Sequence, residues 1–344
     1  MLRAIMTRPG EIQFQDVPTP AIDEREVLVR IRRIGICGSD IHVYHGAHPY
    51  TSYPVIQGHE FSGEVVKVGE QVKSVHVGDL VTAPPQIVCG TCFHCRRGQS
   101  HICDHLKVMG FQAPGVAQEF VVFPEDALLK LPSEFTPELG ALVEPTSVAV
   151  HALRRADLSP GMRVLVLGAG PIGNLVAQVA RWRGAAEVII TDINDHRLDV
   201  ARACGIEHTV NVRQQSLEDD LERIFGPQRA DLILECVGSE ETANQAIRCA
   251  RKGSTIVIVG VYGEIPKVDL GLVQDHELHL VGSLMYQRED YVAAIEGLAS
   301  GAIVSAPLLS RTFPFRQFPD AYRFIETTRA QVMKVMIDLD SVDE

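Results

Sequence analysis

No apolar run in this sequence is long enough to cross a bilayer, which excludes a transmembrane helix. No basic cluster interrupts a formal net charge of −12, and that argues against a nucleic-acid partner or an anionic membrane surface. Residues 1–10 lack the long apolar segment of a secretory signal. Eight cysteines without an export signal point to a reducing compartment, where metal binding or catalysis outranks disulfides. A cytoplasmic protein is expected, with no internal repeat and no low-complexity segment. What is present is length: 344 residues, 46% hydrophobic, are enough for two domains and a large core.

From Ala4 to about Val143 the pattern is short β segments between turns. Val27, Val29 and Ile31 alternate with residues expected to face solvent. Gly78-Asp79 and Pro84-Pro85 punctuate further strands, and no long amphipathic helix fits. From Val148 strand and helix alternate. Strands are expected at 164–167, 188–191, 232–236 and 255–259, with a helix around 243–250. That order predicts an open parallel sheet with helices on both faces. The final stretch, from Met285, carries helices near 291–299 and 318–327 and an apolar strand at 332–337.

The most informative stretch is Val164-Leu165-Val166-Leu167-Gly168-Ala169-Gly170-Pro171-Ile172-Gly173. A short β-branched run breaks into the spacing Gly168-x-Gly170-x-x-Gly173, and Leu175, Val176, Val179, Ala180 and Trp182 continue as a helix. The three glycines serve a tight turn, close approach of backbone to a pyrophosphate, and close helix–strand packing. The helix N-terminus beginning at Pro171 and Ile172 offers N–H groups to the phosphate. Asp192, nineteen residues after Gly173, would accept from an adenosine ribose and repel a 2′-phosphate, which favours NAD over NADP. Arg197 lies close enough to blur that preference. Asp231 and Glu235 bracket a strand as structural groups or neighbours of the adenosine.

Cys89-x-x-Cys92-x-x-Cys95, with Cys103 eight residues on, can close a tetrahedral thiolate shell around zinc and leave no position for chemistry. His94, His101 and His105 are spare potential ligands, expected instead at the surface beside it. Cys204, Cys236 and Cys249 read as buried small hydrophobes, and the charge-rich stretch 214–222 as a solvated helix face. A second group, Cys37-Gly38-Ser39-Asp40-Ile41-His42 with Gly58-His59-Glu60, is no recognisable metal pair by spacing alone.

Taken in order, that second group, the four-cysteine lobe and the late glycine fingerprint resemble the zinc-dependent medium-chain dehydrogenase/reductase family of the alcohol dehydrogenase superfamily. Val143-Glu144-Pro145-Thr146-Ser147-Val148-Ala149-Val150-His151-Ala152 is similar to the sorbitol/polyol and butanediol dehydrogenase branches. The threonine dehydrogenase branch carries an Asp-Pro-Phe-Gly pattern there, so this segment counts against it. The resemblance implies an α/β plus β fold: a GroES-like β-rich catalytic domain with an inserted Rossmann doubly wound parallel-sheet domain. It places the first part at 1–147, including a zinc lobe at about 86–106. The nucleotide domain follows at 148–284, and the chain returns to the catalytic domain over 285–344.

The same resemblance implies two zinc ions per chain and NAD. The catalytic zinc would be held by Cys37, His59 and Glu60, with Glu144 either bonded to the zinc water or exchanging with Glu60. Ser39 and His42 would relay the proton, and the family suggests a homo-oligomer, dimer or tetramer. Sorbitol-type enzymes carry an Arg-Tyr pair where this chain has Met285-Tyr286, which points away from long polyols. Tyr50, Phe111 and Tyr286 are candidate pocket residues for a small-molecule alcohol, and Arg288 a candidate substitute for the missing cation. The expected activity is NAD-linked oxidation of a secondary hydroxyl in a polyol or vicinal diol. The alternatives are L-threonine 3-dehydrogenase-type oxidation of an amino alcohol, or a non-catalytic sensor or structural protein that binds zinc and NAD.

Overall fold

The structure is a computed structural model that describes residues 1–340. The chain forms two compact units. One joins Met1–Glu144 to the segment beginning at Leu309, and the other is Pro145–Leu308. The return therefore comes at Leu309 rather than at 285. The reason is the helix Arg288–Ala299, whose buried Asp290 meets Arg154 Nε at 2.8 Å and His151 Nδ1 at 2.8 Å, both inside the inserted unit.

In the first unit, seven strands share one sheet. Leu309–Pro314, Lys334–Asp338, Glu26–Gly35, Glu60–Val68, Leu80–Thr82 and Leu129–Lys130 lie in that order, and Phe120–Pro124 also pairs with Glu26–Gly35. The alternation around Val27, Val29 and Ile31 predicted one wet face. Those three are fully buried, but Leu28 is only 7% exposed as well. A central strand with neighbours on both sides is covered more fully than alternation implies. Helices before Val143 are short, the longest being the seven residues of Gly38–Tyr44.

The inserted unit holds six parallel strands in the order His208–Asn211, Glu187–Asp192, Arg163–Leu167, Ala230–Glu235, Ala250–Ile258, His279–Gly282. The strand order reverses between Arg163–Leu167 and Ala230–Glu235, and ligands of such sheets bind outside the carboxyl ends at that reversal. The stretch 214–222 is only partly a solvated face: Leu217, Leu221 and Phe225 of the helix Leu217–Phe225 are buried. Among the described residues no helix is long and apolar enough to cross a membrane.

The two ends of the first unit are tied by Arg33, whose side chain is 11% exposed. It donates to Glu138 Oε1 at 2.7 Å, Asp338 Oδ1 at 2.6 Å and Asp340 Oδ2 at 2.8 Å. Burial raises the pKa of Glu138 and Asp340, but hydrogen bonds and the guanidinium outweigh it and hold both carboxyls below their usual range. Such groups contribute stability above the unfolded carboxyl pKa and lose it as pH falls through the folded value. Replacing Arg33 by Met should therefore cost about 2 kcal/mol at pH 7 and less at pH 3. Urea unfolding at the two pH values checks this; an equal loss at both would contradict it.

Candidate active site

The register of the sheet builds the first cluster. Glu60 lies opposite Gly35 on one side, and Met336 lies opposite Gly35 on the other. A Cβ on Gly35 would come within 2.1 Å of Glu60 Oε2, so this position needs glycine if the carboxylate is to lie across it. Lys334 Nζ then donates to both Glu60 oxygens at 2.7 Å and to the Ile36 carbonyl at 3.2 Å. Both side chains are buried. Burial disfavours the ammonium, but the charges of Glu60, Cys37 and Glu144 raise its pKa.

Cys37 follows the strand and caps the helix Gly38–Tyr44, and Asp40 closes the cap by accepting from Cys37 N at 2.9 Å. The other Asp40 oxygen lies 3.6 Å from His59 Nδ1, both atoms buried. Burial opposes an imidazolium here, but the Asp40 carboxylate and Cys37 raise the pKa of His59 well above the ordinary histidine value. A carboxylate on one ring nitrogen orients the other toward a metal. One ligand atom each from Cys37, His59 and Glu60 falls within 4.8 Å of the others. A thiolate, an imidazole and a carboxylate fit zinc with a fourth position free. Glu144 is buried in the first turn of the helix Val143–Arg155, outside that set.

The second cluster is Cys89, Cys92, Cys95 and Cys103, whose sulfurs also lie within 4.8 Å of one another. Backbone N–H groups point inward: Cys92 N donates to Cys89 Sγ at 3.3 Å and His105 N to Cys103 Sγ at 3.3 Å. Such donors stabilise thiolate, and the Cys89 pKa falls to about 6. The Sγ separations of 3.5 Å and 3.8 Å match the roughly 3.8 Å edge of a tetrahedron with Zn–S of about 2.3 Å. His101 is buried in the turn Ser100–Ile102 that delivers Cys103, not exposed as the sequence suggested.

In the inserted unit, Gly168 has φ +97° and Gly170 caps the helix Pro171–Trp182. A Cβ on Gly173 would strike the Gly168 carbonyl at 1.8 Å, whereas one on Gly170 would meet nothing within 4 Å. The helix is thus pressed against the turn while the space before Gly170 stays open for a ligand. Ile172 lies in the helix's first turn. Asp192 is more tied than the sequence reading supposed. Its carboxylate accepts from Ala169 N (2.9 Å), Ile193 N (2.8 Å) and Asn194 N (3.0 Å), and lies 3.6 Å from Arg197 Nη1. It locks the glycine turn to the next strand.

Of the pocket candidates, Tyr50 and Phe111 lie in the first unit and Tyr286 in the inserted one. Phe111 packs on His59 with ring centroids 5.0 Å apart and on His48 at 4.6 Å. Tyr50 is 73% exposed and touches His48 edge-on. Tyr286 is buried against Tyr291 in the inserted unit, and Arg288 is exposed. Ser39 is half-buried and His42 exposed on one short helix. Sequence reasoning gave Asp40 and Lys334 no role. The signal for Asp40 was an acid three residues after a cap position. For Lys334 there was none.

Residues 23–133 match the alcohol dehydrogenase GroES-like domain, and residues 171–300 match the zinc-binding dehydrogenase domain. An L-threonine 3-dehydrogenase of Rhizobium etli is 34% identical over 98% of this chain and 99% of its own length. A sorbitol dehydrogenase of Bacillus subtilis is 31% identical, covering 98% and 97%. The crystal structure of 2R,3R-butanediol dehydrogenase from Bacillus subtilis superposes with a TM-score of 0.89 at 25% identity, covering 98% of this chain and 99% of that one. The chain belongs to the zinc-dependent medium-chain dehydrogenases of the alcohol dehydrogenase superfamily, oxidoreductases that act on alcohol groups.

Lys334 offers a direct test of the first cluster. Replacement by Met would leave Glu60 buried beside Cys37 without its cation, a loss of about 3–5 kcal/mol in zinc-stripped protein. If Glu60 ligates zinc, the loss should shrink when zinc is restored, because the metal would supply positive charge to the same carboxylate. Replacement by Arg should retain most of the stability. Unfolding midpoints with and without chelator measure this, and an unchanged midpoint in the stripped Met variant would contradict it.

Proposed function

We propose that the protein is an NAD-linked, zinc-dependent dehydrogenase that oxidises a secondary hydroxyl of a vicinal diol or short polyol. The observation that carries the reading is the set formed by half-buried Cys37 with buried His59 and Glu60, three ligands of the kind that leave zinc one open position. When bound, zinc acts as a Lewis acid that lowers the pKa of the alcohol, and NAD accepts the hydride. The second zinc of each chain belongs to the four-thiolate lobe, whose role is structural. Asp40 faces the ring of His59 at 3.6 Å, and Lys334 offsets the buried carboxylate of Glu60, with Glu144 near enough to act on the same ammonium.

Ser39 receives the substrate proton and His42 passes it outward, since one is half-buried and the other exposed on the same short helix. Asp192 ends the strand beside the glycine turn with its carboxylate held by backbone N–H groups, and an anion fixed there disfavours the 2′-phosphate of NADP. Met285, in place of the arginine of sorbitol-type enzymes, supports a short diol over a long polyol. Phe111 against His59 supplies an apolar wall beside the metal ligands. A second reading, oxidation of an amino alcohol, draws support from the L-threonine 3-dehydrogenase of Rhizobium etli at 34% identity.

A panel of 2,3-butanediol, sorbitol, 2-butanol and L-threonine with NAD separates these readings by NADH absorbance. Butanediol should give the highest kcat/KM, and Cys37→Ser should lower it by at least about a thousandfold. Turnover of L-threonine alone would favour the second reading. Full activity in Cys37→Ser would sink the metal assignment.

A further inference from the structure

Glu235 is fully buried at the last position of the strand Ala230–Glu235, on the far side of the strand-order reversal from Gly168. Burying a carboxylate is costly unless its oxygens are satisfied, and here they are. Oε1 accepts from Val237 N at 2.8 Å, Gly238 N at 2.9 Å and Thr242 Oγ1 at 2.8 Å. Oε2 accepts from Tyr262 OH at 3.0 Å and Gly238 N at 3.2 Å. The Glu235 carbonyl takes Val259 N and Gly260 N, each at 2.9 Å. One residue therefore holds two loops, 236–239 and 259–262.

The loops are pressed together without slack. A Cβ on Gly260 would come within 2.2 Å of Gly238 N, and one on Gly238, at φ +81°, within 2.4 Å of the Val261 carbonyl. The clamp also reaches the glycine turn: a Cβ on Gly168 would meet Val237 Cγ2 at 2.6 Å. Two valines stay uncovered on these loops, Val237 at 48% exposure and Val261 at 71%. Desolvation together with the Glu235 charge raises the pKa of the Tyr262 hydroxyl, keeping it a donor.

A sheet of this kind carries one mononucleotide on each half of its strand order. Asp192 and the glycine turn serve the adenosine half, whereas Glu235 organises the other. We propose that Glu235 is a positioning residue for the nicotinamide mononucleotide half of the cofactor, holding loops 236–239 and 259–262 as one preformed wall. This rests on the dinucleotide reading given above. The wall is set before the cofactor arrives, so binding need not order two loops.

The test is calorimetric titration of the zinc-loaded protein with NAD and, separately, with AMP. Glu235→Gln places an amide donor against N–H and O–H donors. It should raise the Kd for NAD about tenfold, the scale of one charged hydrogen bond. The Kd for AMP and the zinc content should stay within about twofold, a split that general destabilisation would not produce. Tyr262→Phe cuts one tie only and should shift NAD in the same direction by about threefold. Equal weakening of NAD and AMP, or an unchanged NAD affinity in Glu235→Gln, would overturn the role. Should Glu235→Gln not fold, Tyr262→Phe decides by the same comparison. Wild-type protein that binds AMP but not NAD would overturn the clamp's role alone. Binding neither would overturn the dinucleotide reading as well.

Discussion

Lys334 and Glu60 meet in the interior from strands 274 residues apart in sequence, and the candidate metal site depends on their meeting. Glu60 lies over Gly35, and Lys334 of the last strand reaches both its oxygens and the Ile36 carbonyl. Without that cation, the Glu60 carboxylate would lie buried near Glu144 with no ammonium beside it before metal arrives. The site is therefore a product of long-range strand pairing, not of the local motif Gly58-His59-Glu60 alone. Both ends of the chain have to join that sheet, around an inserted unit of 145–308, before the ligands can face one another.

The two candidate metal-binding groups solve the charge problem in opposite ways. In the four-cysteine lobe, backbone N–H groups of neighbouring residues point at the sulfurs, so thiolate is stabilised locally and the lobe can be read from a short window. In the Cys37 group the compensation is long-range: Asp40 faces His59, Lys334 grips Glu60, and Tyr322 braces Asp40 through Gln57. A closed thiolate shell suits a staple, and a three-ligand set with an open position suits chemistry. Asp192 and Glu235 repeat the theme in the inserted unit. Each is a buried acid whose oxygens are satisfied by backbone donors, and each fixes a loop at a carboxyl strand end.

What could be read from the sequence is what local chemistry determines. The glycine turn shows itself because Gly168 and Gly173 do steric work within six residues. The helix Phe318–Thr327 and the strand Arg163–Leu167 fall where periodicity put them. The strands His208–Asn211 and His279–Gly282 did not show, being four residues each with half or more of their side chains uncovered. The inserted unit runs on to Leu308, and Asp290 of its helix Arg288–Ala299 pairs with His151 and Arg154, contacts that carry no sequence signal. Lys334 carries no signal in the apolar stretch 332–337, and only the register of three strands gives it a partner. The substrate wall is least legible, since nothing local in the sequence says which face of an aromatic such as Tyr286, here against Tyr291, is left for a ligand.

The claim under all of this is that Cys37, His59 and Glu60 form a second metal site, independent of the four-thiolate lobe. Zinc counted per chain by elemental analysis, in active wild-type protein and in folded Cys37→Ser protein, tests it most directly. Two ions in the first and one in the second are the predicted values. A single ion in fully active wild-type protein, retained in Cys37→Ser, would contradict the account.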